Sequence, residues 1–315
     1  CEKCVHTCNE IIGEDAIEIK VGGYKSEIGP KNSDTLDCTF CGECIAVCPV
    51  GALASTGFKY TSNAWELRKV PSSCAHCSST CQLTYEIKHT GTEKCGQKIY
   101  RVTNDFEFSS LCNAGRFGFD YENKAEKNPK AFEKAVSALK SASYIKFNSF
   151  ITNEEALILQ RIKEKTGIKL VNKDAYEYKK FMDAYSSVSG KSLYSGSLKE
   201  THASNFVVTV GTMIKNDNPV LRFAVNNAVT MNKGAAIYMH PINDTVISGL
   251  SKNMLQLNYK PLSEEKTILA LMETFADKDK LPQEIVQKLK SYETTYMKTV
   301  TEKVKEKVKE IVKEK

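Results

Sequence analysis

The stretch CTFCGECIAVCPVGAL, residues 38–53, decides how the first part of this chain folds and what it binds. It contains a C-x2-C-x2-C-x3-C run followed directly by proline, and its cysteines are Cys38, Cys41, Cys44 and Cys48. This spacing is typical of bacterial ferredoxins, in which three thiolates on a tight loop hold one [4Fe–4S] cluster and the fourth binds a neighbouring cluster. Structural zinc sites, the alternative, pair two shorter knuckles across a longer loop. The stretch therefore predicts a ferredoxin-like iron–sulfur domain.

A second run, CEKCVHTCNE, stands at residues 1–10 and holds Cys1, Cys4 and Cys8. Because the last cysteine of each run crosses to the other cluster in a two-cluster ferredoxin, Cys8 is predicted to complete the cluster of the 38–44 run. Cys48 then joins Cys1, Cys4 and one more thiolate in the first cluster. We expect that thiolate three residues upstream of residue 1; a non-cysteine ligand or a three-iron centre is the alternative.

A third set of cysteines lies in VPSSCAHCSSTC (70–81) and LCNAGRFGFDY (111–121). Its C-x2-C-x3-C knot with one distant cysteine again supplies four thiolates for one [4Fe–4S] cluster. Cys95 competes with Cys112 for the fourth position, and the other interpretation of Cys95 is an ordinary thiol in the core of a small domain. The predicted metal and cofactor ligands are Cys1, Cys4, Cys8, Cys38, Cys41, Cys44, Cys48, Cys74, Cys77, Cys81 and Cys112.

The composition narrows the function classes. All 12 cysteines occur at or before Cys112, which favours metal cofactors in a reducing compartment over a disulfide scaffold. The net charge of +6 comes from 44 basic and 38 acidic side chains that are well mixed, so no nucleic-acid footprint is indicated. No apolar run approaches the ~18 residues of a membrane span. The five histidines are not spaced as metal ligands are, and no serine or cysteine lies in a motif typical of a catalytic nucleophile. No catalytic residue is therefore predicted.

Three regions differ in composition and in the pattern of their predicted strands and helices. Together they predict an α+β and α/β multidomain protein. Residues 1–65 are the two-cluster ferredoxin-like domain, and residues 66–122 form a small β-rich [4Fe–4S] domain in which LTYEIK and KIYRVTND alternate like antiparallel strands. Residues 123–315 alternate strands with helices, which predicts a parallel sheet covered by helices. No G-x-G-x-x-G follows any of these strands, so a dinucleotide fingerprint is absent from the sequence.

Within the last region, strands are predicted in SASYIKFNSF, IKLVN, SNFVVTVGT and AAIYMHP. Asn153 is predicted to cap the helix that Gly167 ends, and a helix is expected to begin near Pro219 and to end near Gly234. The tail TEKVKEKVKEIVKEK spaces its valines by four, and the narrow stripe favours a solvated helix with alternating charges.

The ordered motifs resemble the large, G-type iron–sulfur subunit of respiratory NADH:quinone oxidoreductase (complex I), in the molybdopterin-oxidoreductase-like superfamily. The resemblance is carried by CVHTCNE, LDCTFCGECIAVCPVGAL, VPSSCAHCSSTC, LCNAGRFGFDY and the stretch NFVVTVGTMIKNDNPVLRFAVNNAVTMNKGAAIYMHP. It implies that residues 123–315 are a degenerate molybdopterin-oxidoreductase-type scaffold domain. It also implies that this chain is a fragment, which lacks an N-terminal segment and part of the C-terminus. In the family, that N-terminal segment binds a [2Fe–2S] cluster and a His/Cys-ligated [4Fe–4S] cluster.

The resemblance implies an electron relay that serves as a subunit of an oxidoreductase and translocase, without a substrate site of its own. Electrons from NADH through a flavin partner, or from flavodoxin or ferredoxin, would pass through three [4Fe–4S] clusters toward quinone, coupled in the whole complex to proton translocation. The expected partners are the other peripheral-arm subunits. The expected location is the cytoplasmic face of a bacterial inner membrane, with membrane contact only through the complex.

The alternative is the catalytic α subunit of a molybdenum or tungsten formate dehydrogenase. Active enzymes of that superfamily often have a lysine two residues after the fourth cysteine, where this chain has Ala114. Formate dehydrogenases also need a cysteine or selenocysteine on the metal, and no cysteine follows Cys112. Molybdopterin is therefore not expected. The additional cysteine motifs of iron hydrogenases are absent from the sequence as well. A third hypothesis is a zinc-binding interaction module without redox activity.

Overall fold

The structure is a computed structural model that describes residues 1–91, 96–105, 110–124, 128–193, 196–291 and 295–313. In chain order its strands are β1 Ile17–Lys20, β2 Glu27–Pro30, β3 Arg68–Ser73, β4 Gln82–His89, β5 Gln97–Thr103, β6 Tyr144–Lys146, β7 Lys169–Val171, β8 Phe206–Val210, β9 Ala235–Met239 and β10 Met254–Leu257. They form four small sheets in the described part of the chain. The protein therefore contains both helices and strands in several small sheets, which confirms the predicted mixed α/β class.

The helices connect these strands. In chain order they are α1 Lys3–His6, α2 Glu43–Ala46, α3 Asn113–Phe117, α4 Asp120–Lys124, α5 Pro129–Ser141, α6 Asn153–Thr166, α7 Lys173–Ser189, α8 Leu198–Ala203, α9 Ile214–Asp217, α10 Pro219–Asn226, α11 Thr245–Ser248, α12 Glu264–Phe275, α13 Gln283–Ser291 and α14 Thr295–Lys313. Two π-helical turns, Thr7–Ile12 and Asn227–Met231, directly follow α1 and α10. No helix in the described ranges is both long and apolar enough to cross a membrane.

The chain divides into two compact units that are discontinuous in sequence. The first unit consists of Cys1–Thr39, Glu43–Val50 and Ser197–Lys315, and the second of Phe40–Gly42 and Gly51–Gly196. The division of the chain by its motifs, with boundaries after residues 65 and 122, stays a prediction.

The first unit is organised around a parallel sheet in which β9 is the central strand between β8 and β10. All five residues of β9 are buried. Ile237 and Met239 belong to one apolar cluster with residues of α12, α13 and α14, whereas Ala236 and Tyr238 belong to another with residues of α9 and α10. Side chains of a strand alternate between faces, so both faces of this sheet are covered. The predicted helix-covered parallel arrangement is confirmed for these strands.

The C-terminal helix α14 is not the solvated helix that its charge pattern favours. Val304 is only 1% exposed and lies with Val300 in the core cluster that includes Ile237 and Leu257, and Val308 packs against that cluster. The buried side of α14 is larger than the valines at 304, 308 and 312 indicate, because Val300 continues it toward the N-terminus and Thr301 beside it is also buried. The expectation of a solvated helix was therefore wrong. The side chain of Val312 lies outside the described part of the chain.

The second unit holds an antiparallel sheet in the order β3–β4–β5 and a parallel pair, β6–β7. The antiparallel strands predicted from LTYEIK and KIYRVTND are β4 and β5. Thr152, not Asn153, caps α6, because its hydroxyl accepts the N–H of Glu155 while the Glu155 carboxylate accepts the N–H of Thr152. Gly167 ends the helix in the left-handed conformation with φ of 74°, as predicted.

Candidate iron–sulfur sites

The cysteines of the first unit lie on short helical turns. Cys4 is buried on α1, Cys8 lies in the π-helical turn that follows it, and Cys44 lies on α2. Burial is the main cause that raises the pKa of the Cys44 thiol to about 11, and Cys8, Cys38 and Cys4 raise it further. Burial also raises the pKa of the Cys8 thiol, and Cys38 adds to that shift. The fold thus brings Cys8 near Cys38 and Cys44 within the first unit, and their assignment to one cluster stays a prediction.

The remaining cysteines of the two runs have different surroundings. Cys1 is exposed, Cys48 is half-buried just after α2, and Cys41 belongs to the second unit. The Cys48 N–H donates to the Ile45 carbonyl at 3.3 Å, which fixes the backbone directly before Pro49. The assignment of Cys1, Cys41 and Cys48 as cluster ligands stays a prediction.

The third set of cysteines comes together in the second unit. The Cys74 N–H donates to the Cys81 carbonyl at 2.9 Å, which closes the 74–81 loop, and Cys112 occupies the cap position of α3. Burial raises the pKa of the Cys81 thiol to about 12, with further contributions from Cys74, Cys77 and Cys112. Burial, Cys112 and Cys77 likewise raise the pKa of Cys74. Cys77 and Cys112 are therefore close enough to oppose the ionisation of both Cys74 and Cys81.

A cavity of about 970 Å³ adjoins this third set. Its wall includes Cys74, Cys77 and Thr80, together with the first residues of α6. Cys74 and Cys77 thus border an open space, whereas Cys81 is buried beside them. A group that supplies positive charge to buried thiolates fits this position, because it would reverse the cost of ionising them.

The eleven described cysteines are present as thiols and not as disulfides. Among the described residues, no three His, Cys, Asp or Glu side chains converge on the position of a single metal ion. In a multi-iron cluster the four thiolates are shared among different irons, so such convergence is not what the predicted cofactor requires. Cys95, whose role was left open, lies outside the described residues.

Arg116 connects Cys41 to Cys112 within the second unit. Its backbone N–H donates to the Cys112 carbonyl at 3.0 Å, and its Nε donates to the Cys41 carbonyl at 3.0 Å. Nη1 donates to the Val102 carbonyl at 3.3 Å and Nη2 to Asn104 Oδ1 at 2.7 Å. Arg116 is only 4% exposed. Motif reasoning missed this residue, because no local spacing links it to Cys41.

Gly42 has a conformation and a close neighbour that require glycine. Its φ is +72°, a conformation that favours glycine, and a Cβ there would lie 2.6 Å from Cδ of Arg116. Glycine at this position therefore lets the Arg116 side chain pass over the loop that carries Cys41.

The two histidines inside the cysteine runs have neighbours of their own. His6 lies 2.8 Å from Glu10 through Nδ1, and this hydrogen bond is the main cause that raises its pKa. His76 packs edge-on against Tyr121 with ring centroids 5.9 Å apart. Both side chains therefore have partners other than the cysteines of their runs.

Comparison with known proteins supports the same view of the cysteine runs. Residues 1–54 match the family described as NADH-quinone oxidoreductase subunit 3, ferredoxin-like domain. The second G-type subunit of NADH-quinone oxidoreductase in Rhizobium meliloti is 26% identical over 254 residues, which are 72% of this chain and 29% of that protein. The chain resembles the G-type subunit of NADH-quinone oxidoreductase. The corresponding protein of Streptomyces coelicolor is 30% identical over 186 residues, 58% of this chain and 21% of that protein.

A relative with a different name matches a shorter region more strongly. The NADPH-Fe(3+) oxidoreductase subunit alpha of Geobacter sulfurreducens is 34% identical over 141 residues, 44% of this chain and 16% of that protein. The matched region thus spans less than a third of each of these relatives. The resemblance to the G-type subunit that the motifs indicate is confirmed, and the ferredoxin-like match contains seven of the predicted ligands: Cys1, Cys4, Cys8, Cys38, Cys41, Cys44 and Cys48.

Proposed function

We propose that this chain is an electron-relay subunit of an NADH:quinone oxidoreductase-type complex, holding three [4Fe–4S] clusters in the region from Cys1 to Cys112. The observation that carries the proposal is the gathering of Cys74, Cys77, Cys81 and Cys112, residues up to 38 positions apart, around one another in the second unit. The resemblance of the chain to the G-type subunits of two bacteria supports it.

The proposed ligand sets follow the crossover rule. The first cluster takes Cys1, Cys4 and Cys48 with one further ligand; the second takes Cys8, Cys38, Cys41 and Cys44; the third takes Cys74, Cys77, Cys81 and Cys112. When bound, such clusters accept and donate one electron at a time. The residues of this chain hold the thiolates in place, exclude water, and set the charge and hydrogen bonds around the sulfurs.

The raised thiol pKa values have a consequence for assembly. Burial keeps the Cys44 and Cys81 thiols protonated well above neutral pH, with pKa values of about 11 and about 12. A thiol binds metal as thiolate, so cluster loading must release these protons.

The larger setting is also part of the proposal. The 123–315 region serves as a scaffold of degenerate molybdopterin-oxidoreductase type, the neighbours are other peripheral-arm subunits, and the complex lies on the cytoplasmic face of a bacterial inner membrane. Electrons move toward quinone, and proton translocation is a property of the whole complex. No proton-transfer residue is assigned to this chain.

A second candidate is a relay subunit in an NADPH-dependent oxidoreductase. It is favoured by the 34% identity to the NADPH-Fe(3+) oxidoreductase subunit alpha, which exceeds the identity to the two G-type proteins over a shorter match. Purification of the native complex followed by anaerobic addition of NADH or NADPH separates the two candidates. Bleaching of the iron–sulfur absorbance by NADPH alone would favour the second.

The test of the relay itself is electron paramagnetic resonance of the reduced full chain with reconstituted clusters. Cys41→Ala is expected to remove one cluster signal and to spare another, and Cys77→Ala is expected to do the reverse. Cys95→Ala is the matched control and should leave every signal unchanged. A colourless protein with stoichiometric zinc, or unchanged signals in both Cys41→Ala and Cys77→Ala, would refute the proposal.

A further inference from the structure

A buried ion pair joins the α/β part of the first unit to the segment that follows Cys8. Arg222 on α10 donates from Nη2 to Glu14 Oε1, and these residues are 208 positions apart. Arg222 is 1% exposed and the Glu14 side chain is largely buried. A buried guanidinium is costly unless it is paired, so this contact is strongly specified by the fold.

Glu14 also links the two loops that carry Cys8 and Cys38. Its backbone N–H donates to the Cys8 carbonyl at 3.0 Å. Its second carboxylate oxygen, Oε2, accepts the N–H of Thr39 at 3.1 Å, and that N–H belongs to the peptide bond formed by Cys38. One side chain thus fixes the backbone next to two of the proposed ligands of a single cluster.

The helix behind the pair holds the same segment through further contacts. Asn226 Nδ2 donates to the Glu10 carbonyl at 3.2 Å and Asn227 Nδ2 donates to the Ile11 carbonyl at 2.9 Å. Gly13 passes so close that a Cβ there would overlap the Asn226 amide. The segment from residue 10 to residue 14 is therefore clamped, and Glu14 cannot swing away from the cysteines without breaking these bonds.

The sign of the electrostatic effect follows from the position of the Glu14 carboxylate. The backbone bond of Glu14 to Cys8 and its side-chain bond to the Thr39 N–H place a negative charge next to the two ligand loops. An electron added to a cluster bound there is also negative charge. The same carboxylate therefore opposes reduction, and the Arg222 guanidinium offsets part of that effect.

We propose that Glu14, held by Arg222, is a positioning residue that fixes the Cys8 and Cys38 loops and lowers the reduction potential of the cluster bound there. The inference rests on the proposed function, because it needs a cluster at Cys8, Cys38, Cys41 and Cys44. The carboxylate and the guanidinium act with opposite signs, so their removal should shift the potential in opposite directions.

The experiment is a redox titration of the reconstituted full chain, followed by electron paramagnetic resonance. The signal that Cys38→Ala abolishes identifies the cluster. A unit charge within about 12 Å of a partly buried centre changes its reduction equilibrium about tenfold, which is about 59 mV for one electron. Glu14→Gln, which is isosteric, is expected to raise the potential by about that amount. Arg222→Met should lower it, and the double variant should fall between the two.

Asp15→Asn is the matched control, since Asp15 is the next residue and forms an exposed ion pair with Lys31 at 2.6 Å. Solvent and salt screen an exposed charge, so its shift should be under a quarter of the Glu14→Gln shift. If Arg222→Met prevents cluster insertion, Glu14→Gln decides alone. With the cluster present, an unchanged potential in Glu14→Gln, a shift in the same direction in both variants, or an equal shift in Asp15→Asn overturns the inference. A wild-type chain without the cluster refutes the proposed function instead.

Discussion

Replacement of Arg116 by methionine tests the connection between the Cys41 loop and the Cys112 helix. The change keeps much of the apolar stem and removes three side-chain hydrogen bonds, one to the buried Val102 carbonyl and two to partly buried acceptors. Hydrogen bonds from charged donors contribute roughly 1.5–3 kcal/mol each, and less where water can replace the donor. With about 2 kcal/mol for the buried bond and about 1 for each of the others, the loss is about 4 kcal/mol.

Hydrogen exchange measured by mass spectrometry reports this loss locally. A decrease of about 4 kcal/mol in the opening free energy of the surrounding structure corresponds to roughly a thousandfold faster exchange for amides that exchange through that opening. We expect this change in β5 and α3. Arg116→Lys should give a smaller increase, because lysine keeps the charge but cannot reproduce the fixed fork of the guanidinium.

Arg68→Met is the control for this measurement, since Arg68 is exposed at the start of β3 in the same unit. It should leave exchange in β5 and α3 within about threefold of wild type, as surface substitutions usually change stability little. Equal protection in Arg116→Met and wild type would refute the reasoning, because the three bonds would then contribute nothing to holding these elements together. Equal acceleration in Arg68→Met would show a general loss of stability instead of a local one.

Three further predictions concern packing and charge. Gly13→Ala should lower the free energy of unfolding by about 3 kcal/mol in urea denaturation, because φ is +71° and the new Cβ would overlap a buried amide. Gly167→Ala is the comparison: its φ is +74° but a Cβ there meets open space, so it should lower the same free energy by only about 1 kcal/mol. Val304→Ala should cost about 2 kcal/mol in the same assay because it leaves a cavity in the core. The hydrogen bond from Lys88 lowers the pKa of Glu66 to about 2. Its stabilising contribution should therefore be complete above about pH 4.5 and be lost as the pH falls toward 2, which NMR titration of that carboxyl checks.

The elements that the sequence predicts well are those determined by local patterns. The β-branched run FVVTV identifies β8, the short apolar run AAIYM identifies β9, and the glycine after α6 identifies the end of that helix. Cysteine spacing likewise predicts ligand loops, because cluster geometry restricts how far apart neighbouring ligands can be, and that assignment stays a prediction. In each case the physical cause acts over a few residues, so a short window of sequence contains all of it.

The features that the sequence does not reveal depend on contacts between distant segments. Val304 lies in a charged tail, and only the positions of β9, β10 and α12 show that its stripe is covered. Glu14 is one of many carboxylates until α10 places Arg222 against it. Charge alternation describes the exposed sides of a helix correctly but does not say whether its narrow apolar side meets a partner.

The two buried arginines show how these kinds of information combine at a cluster site. Arg116 donates to the carbonyl of Cys41 from 75 positions away, and Arg222 holds, from 208 positions away, the carboxylate that binds the Thr39 amide. The cysteine spacing does not involve either arginine, yet each places a charge or a hydrogen bond beside a predicted ligand loop. Under the proposed function, cysteine spacing specifies which cluster can form, whereas distant arginines specify the field in which it is reduced. Chains with the same spacing but without these arginines are expected to bind the same clusters at different potentials.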